Sequence, residues 1–190
     1  MTVSDPLLPP APPSSTTDLS DSDGTETDLT EQLLRLHLLP DTTALLPVAQ
    51  LTEVLKIPIG QITPMPHMPD WVMGIYNWRG EILWMIDLGS LAGLMPWYRR
   101  AMSASNYAAI VLDTKSSKSL SKDTGKQTLG LVVNRVEDIE WCNPNSIQSP
   151  PASGGANGLI PFSRGYWRTP DGEMRTVLDS EAIFEAMPKP

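Results

Sequence analysis

In QLLRLHLL, residues 32–39, leucines recur at every second position. Leu34, Leu36 and Leu38 fall on one face, Arg35 and His37 on the other. A period of two marks a strand half buried against a core. The next apolar stretch, ALLPVAQLTEVLKI (44–57), carries Pro47. Proline cannot donate to a strand ladder, which suits an edge or irregular strand start there. Leu51, Val54 and Leu55 would equally fit one helical turn. Residues 58–71 hold four prolines and read as an extended connector. VMGIYNW and EILWMIDL follow, separated only by Arg79-Gly80. DLGSLAGL has the look of a short helix, with Asp87 capping its first turn and Pro96 closing it.

Two continuous apolar runs, NYAAIVLD (106–113) and TLGLVVN (128–134), predict strands buried on both faces. The polar stretch between them, residues 114–127 with four lysines, reads as a solvated hairpin loop. Val136 to Glu140 reads as a solvated strand end, and the residues after Trp141 as loop. FSRGYWRT and EMRTVLD predict a hairpin across Pro170-Asp171-Gly172, and SEAIFEAM a terminal helix stopped by Pro188. Many short strands with turn signals and two or three short helices give a mainly β chain of barrel or sandwich type.

Charge divides the chain. Residues 1–30 carry six acids, five prolines and no Lys or Arg, and predict a disordered acidic leader. Over residues 31–190 the remaining 16 acids nearly balance all 14 bases, so the domain at 31–187 is nearly neutral and lacks a nucleic-acid footprint. A single cysteine, Cys142, allows no internal disulfide. It has no basic neighbour to activate it and reads as inert. The two histidines, His37 and His67, lack a partner at ligand spacing, so neither a metal nor a cofactor is expected. No phosphate loop, nucleophile elbow or zinc-protease motif occurs, and the chain reads as a non-enzyme. With no apolar run near 18 residues and no secretory signal pattern, direct membrane insertion is not expected and the cytoplasm is the expected compartment.

The feature left over is Arg79, set between Trp78 and Trp84 in an apolar region. Ile75, Asn77 and Arg79 alternate onto one side, Tyr76 and Trp78 onto the other. Gly80 supplies a turn. A strand-end arginine escapes the several kcal/mol that an unpaired buried charge costs. Two roles fit it: an internal ion pair with Glu53 or Asp87, or a rigidly held recognition side chain.

The stretch from Leu46 to Leu94 resembles the first half of a CheW-like domain. The matching features are Leu51-Thr52-Glu53-Val54, the proline connector, the G-x-x-N-x-R-G turn from Gly74 to Gly80, and the I-L-x-x-I-D-L strand from Ile82 to Leu88. AAIVLD, LGLVVNRVEDI and the terminal hairpin plus helix fall in the family's order, so the resemblance spans residues 31–187. It implies two SH3-like five-stranded β-barrels sharing an apolar core, formed from half-chains too small to be stable alone. It also implies a non-catalytic adaptor that joins a methyl-accepting chemotaxis receptor hairpin tip to the regulatory domain of a CheA-type histidine kinase, at membrane receptor arrays. Arg79, Asn77 and Trp78 would then lie at the partner-binding turn, with Glu53, Leu51 and Val54 on the strand facing kinase or receptor. Trp78, Trp84 and Asn134 depart from the family pattern and point toward a specialised array, such as one for twitching motility or phototaxis. The alternative expectation is a small barrel that binds oligonucleotides through exposed aromatics.

Overall fold

A computed structural model describes residues 30–38, 41–99, 106–113, 128–149 and 158–187. The expected leader, apart from Thr30, and the lysine-bearing loop 114–127 lie outside the described residues. The strands are β1 (Glu31–Leu38), β2 (Thr42–Pro47), β3 (Leu51–Pro58), β4 (Val72–Trp78), β5 (Glu81–Asp87), β6 (Asn106–Asp113), β7 (Thr128–Val133), β8 (Arg135–Cys142), β9 (Ser163–Arg168) and β10 (Met174–Leu178). Two short helices, α1 (Leu88–Leu91) and α2 (Ser180–Glu185), follow β5 and β10. No helix among the described residues is long and apolar enough to cross a membrane.

The strands form two five-stranded sheets, ordered β8-β1-β2-β10-β9 and β3-β6-β7-β5-β4. Each contains one parallel pair, β2 with β10 and β5 with β7. The division is not into sequential halves. The first sheet combines both ends of the chain, and the second is inserted whole between them. The second unit, β3 to β7, is therefore one contiguous stretch, and only the first is assembled from two separate parts of the sequence.

Side-chain alternation assigns most of the strands to two cores at once. On β6, Ile110 and Leu112 enter a core shared by both sheets, whereas Ala109 and Val111 enter the second sheet's own core. On β5, Ile86 joins the shared core, and Leu83 and Met85 the second sheet's. On β1, Leu34, Leu36 and Leu38 are in the shared core while Leu33 joins Leu45, Cys142, Trp167 and Val177 in the first sheet's own core. Burial on both faces is why β5 and β6 read as nearly continuous apolar runs.

That first inner core is small, and charges fill the rest of the space. Arg35 and His37, on the same face as Leu33, are only about a quarter exposed and meet Glu137 at 2.8 Å and 2.9 Å. Arg35 also reaches Glu140, which pairs with the buried Arg175. Desolvation raises the Glu137 carboxyl, but the His37 hydrogen bond and the charges of His37, Arg135 and Arg35 outweigh it and hold it below its ordinary value. Residues 136–140 are therefore mid-strand in β8 rather than a solvated strand end.

Other expectations move by a few residues. Pro47 ends the central strand β2 instead of starting an edge strand. Residues 51–55 are strand, not a helical turn. Asp87 caps α1 as expected, through Gly89 N–H at 3.1 Å, but Gly93 at φ 74° follows the helix end ahead of Pro96. Trp84 packs against the shared core.

Cys142 is 3% exposed, and burial pushes its thiol up, with the Glu31 charge adding to the shift. A thiol both covered and protonated is a poor nucleophile. Native protein at pH 8 is accordingly expected to resist a maleimide or Ellman's reagent, and to take up one equivalent once unfolded in urea. Stoichiometric labelling at native conditions would contradict the inert reading.

Candidate functional site

β4 and β5 are joined by a two-residue loop, with Trp78 opposite Glu81. Arg79 has φ 54° and Gly80 φ 85°. Two successive positive values define the tight hairpin turn whose twist matches the flanking strands. Gly80 adopts this freely; Arg79 does not, at a cost of about 1 kcal/mol or more. Three contacts offset that strain. Asn77 Oδ1 accepts the Gly80 N–H at 3.0 Å, closing the turn. The Arg79 guanidinium donates to Glu53 Oε2 at 2.9 Å. Its central carbon lies 5.2 Å from the centroid of the Trp78 ring, within cation–π range.

Glu53 sits on β3, one edge of the second sheet, and Trp78 on β4, the other edge. The Trp78 indole N–H donates to the same Glu53 Oε2 at 3.0 Å. One carboxylate oxygen thus ties the two edges together and anchors the arginine. Thr63, in the connector after β3, exchanges two backbone hydrogen bonds with Ile75 and makes a second tie. The corner is stiff because the sheet curls shut there.

The guanidinium stays in solvent: the Arg79 side chain is 68% exposed, that of Glu53 31%. An ion pair this exposed contributes little to stability, on the order of 0–1 kcal/mol. Arg79 therefore pairs with Glu53, one of the two partners the sequence offered, while most of its side chain stays exposed to solvent. Asp87 is instead buried and accepts the N–H groups of Gly89 and Trp97.

Of the six expected residues, Glu53, Trp78 and Arg79 come together, and Asn77 serves the turn. Trp78 is 8% exposed and belongs to the second sheet's core, so it supports the corner from within. Leu51 packs on the shared core. Val54, 45% exposed, points away from Glu53 by strand alternation. Ile82, opposite Asn77 and 67% exposed, was missed by the sequence reading. Its signal was parity, since Leu83 and Met85 face inward.

The chemistry available here is recognition. Among the described residues no group of three or more His, Cys, Asp or Glu is placed to hold a metal. An oligonucleotide-binding barrel needs a row of exposed rings, yet of the six tryptophans only Trp141 is largely exposed.

A family model described as CheW-like domain matches residues 36–187. A protein described as chemotaxis protein CheW from Rhizobium meliloti (strain 1021) is 28% identical over 122 residues, covering 64% of this chain and 68% of that protein. A probable chemotaxis protein CheW from Rhizobium etli is 29% identical over the same length. Among solved structures, the scaffolding protein TtCheW from Thermoanaerobacter tengcongensis superposes with a TM-score of 0.63, at 23% identity. The match covers 80% of this chain and 90% of that one.

Proposed function

The chain belongs to the CheW-like domain family and is a non-catalytic chemotaxis scaffold, and from that premise we propose that it couples a chemoreceptor hairpin tip to the regulatory domain of a CheA-type histidine kinase. The observation that carries this is the Glu53–Trp78–Arg79 corner. A fixed carboxylate holds a fixed indole and an exposed guanidinium on a closed sheet. A pre-ordered arginine loses little rotamer freedom on binding, and arginine is enriched among residues that dominate interfaces. Ile82 and Asn77 lie beside it and supply apolar and polar flanks. Val54 presents a separate apolar point on the far face of β3, which suits a second partner more than the same one. Membrane association, in this reading, comes through the receptor array.

Arg79→Ala is the test. It removes a mostly solvent-exposed ion pair, so the thermal midpoint should barely move. Affinity for the kinase regulatory domain or the receptor hairpin should fall by about 2 kcal/mol, near thirtyfold. Unchanged affinity together with a clearly lower midpoint would make Arg79 a structural residue and end the corner's claim to a partner.

A further inference from the structure

β8 carries an apolar strip whose outer part is bare. Leu34 pairs with Ile139, Leu36 with Val136 and Gln32 with Trp141. Directly opposed residues in a ladder share a face. Leu34 and Leu36 are in the shared core, and Val136 packs against it. Toward the end of the strand this face opens to solvent. Ile139 is 49% exposed and Trp141 61%, on an edge strand of the first sheet. The cross-strand neighbour of Trp141 is Gln32, two residues after Thr30, the first described residue, so the exposed indole lies beside the point where residues 1–29 join the domain.

Those residues contain one stretch suited to it. Asp5-Pro6-Leu7-Leu8-Pro9-Pro10-Ala11-Pro12-Pro13 holds all five prolines of the leader, and five of the six leader acids lie beyond it, at 18–28. Closely spaced prolines preset an extended left-handed conformation that docks on exposed aromatic rings with little entropy left to lose. We propose that this proline-rich segment folds back onto Ile139 and Trp141 and covers them within the same molecule. Reach is no obstacle: the tether, residues 14–30, can extend to roughly 55 Å. Its root-mean-square span is about 20–25 Å. A tether of that length gives an effective concentration near 1 mM, so even an intrinsically millimolar contact is substantially populated. A protein approaching the strip must displace the leader first, which makes the segment an internal competitor. This holds or fails independently of the Arg79 corner.

The test uses the full chain with a nitroxide attached at Ser14→Cys, since Cys142 is covered by its core. The six tryptophan indole N–H signals are assigned by single Trp→Phe changes and compared with and without reduction of the label. The expected result is that the Trp141 signal is bleached severalfold more than that of Trp167, and that adding Leu7→Ser with Leu8→Ser abolishes the difference. If bleaching of Trp141 is the same with both serines in place, the tether only wanders past and the proposal is wrong. Bleaching that appears when spin-labelled chain is mixed with isotope-labelled, unmodified chain would place a second copy on the strip, and would equally overturn it.

Discussion

Leu36→Ala should lower stability by about 3 kcal/mol and the thermal midpoint by roughly 6–12 °C. Leu36 is fully buried on β1, in the core where both sheets and both helices meet. Its removal leaves a void lined by atoms of two sheets that cannot collapse toward each other without shifting a ladder. The same residue tests how the two units depend on each other. Their separate inner cores are small, and the first is partly filled by ion pairs instead of hydrocarbon. Neither unit has enough buried apolar surface of its own to offset chain entropy, so the shared core should make unfolding one event. Trp167 reports on the first inner core and Trp78 on the second. Their fluorescence, isolated in single-tryptophan variants, should move through one coincident transition in urea for both the parent chain and Leu36→Ala. Separate midpoints would mean that the sheets stand independently.

Strand content was legible wherever burial imposed a simple pattern. The alternation of β1 and the doubly apolar runs of β6 and β7 each reflect which cores a strand faces, and single residues carry that record. Long-range assembly left no such mark. Nothing local in Thr42–Pro47 announces that β2 runs parallel to β10 from the other end of the chain. That pairing is what turns two apparent halves into one unit inserted in another. β8 was misread for a related reason. Glu137 and Glu140 look solvated in isolation; Arg35, His37 and Arg175, brought from β1 and β10, join the local Arg135 in making a strand interior tolerable for them. At the candidate site, the turn chemistry of Asn77, Arg79 and Gly80 was readable from residue types. The bond between Trp78 and Glu53 was not, because it joins opposite edges of a curled sheet. Pairing of Arg79 with Glu53 was one of two options the sequence offered, and closure of that sheet selects it over Asp87.

The second large effect is expected at the first glycine of the G-x-x-N-x-R-G turn. Gly74 has φ 139° and sits where the β4–β5 register shifts. A Cβ there would lie 2.1 Å from the Thr63 carbonyl oxygen and 2.9 Å from Pro64 Cα, both backbone atoms that cannot rotate aside. To admit alanine, the chain must give up the two Thr63–Ile75 hydrogen bonds, at about 1 kcal/mol each, and also bear the strained dihedral, at about 1–3 kcal/mol. Gly74→Ala should therefore cost on the order of 4 kcal/mol. Gly80 makes the comparison sharp. Its φ is 85°, but nothing lies within 4 Å of a Cβ built there. Gly80→Ala pays only the conformational penalty, about 1–2 kcal/mol, and Gly80→Asn less, because asparagine tolerates this region. The two glycines should also differ in function. The Thr63–Ile75 bridge links the connector following the strand of Glu53 to the hairpin of Arg79. Losing it frees the guanidinium from its anchored position, so Gly74→Ala should weaken partner binding even at temperatures where the chain is still folded. Urea titrations of the three variants, with binding measured well below each midpoint, check both halves. If Gly80→Ala proves costlier than Gly74→Ala, backbone torsion rather than crowding against Thr63 controls this corner, and its stiffness has a different source from the one assigned to it.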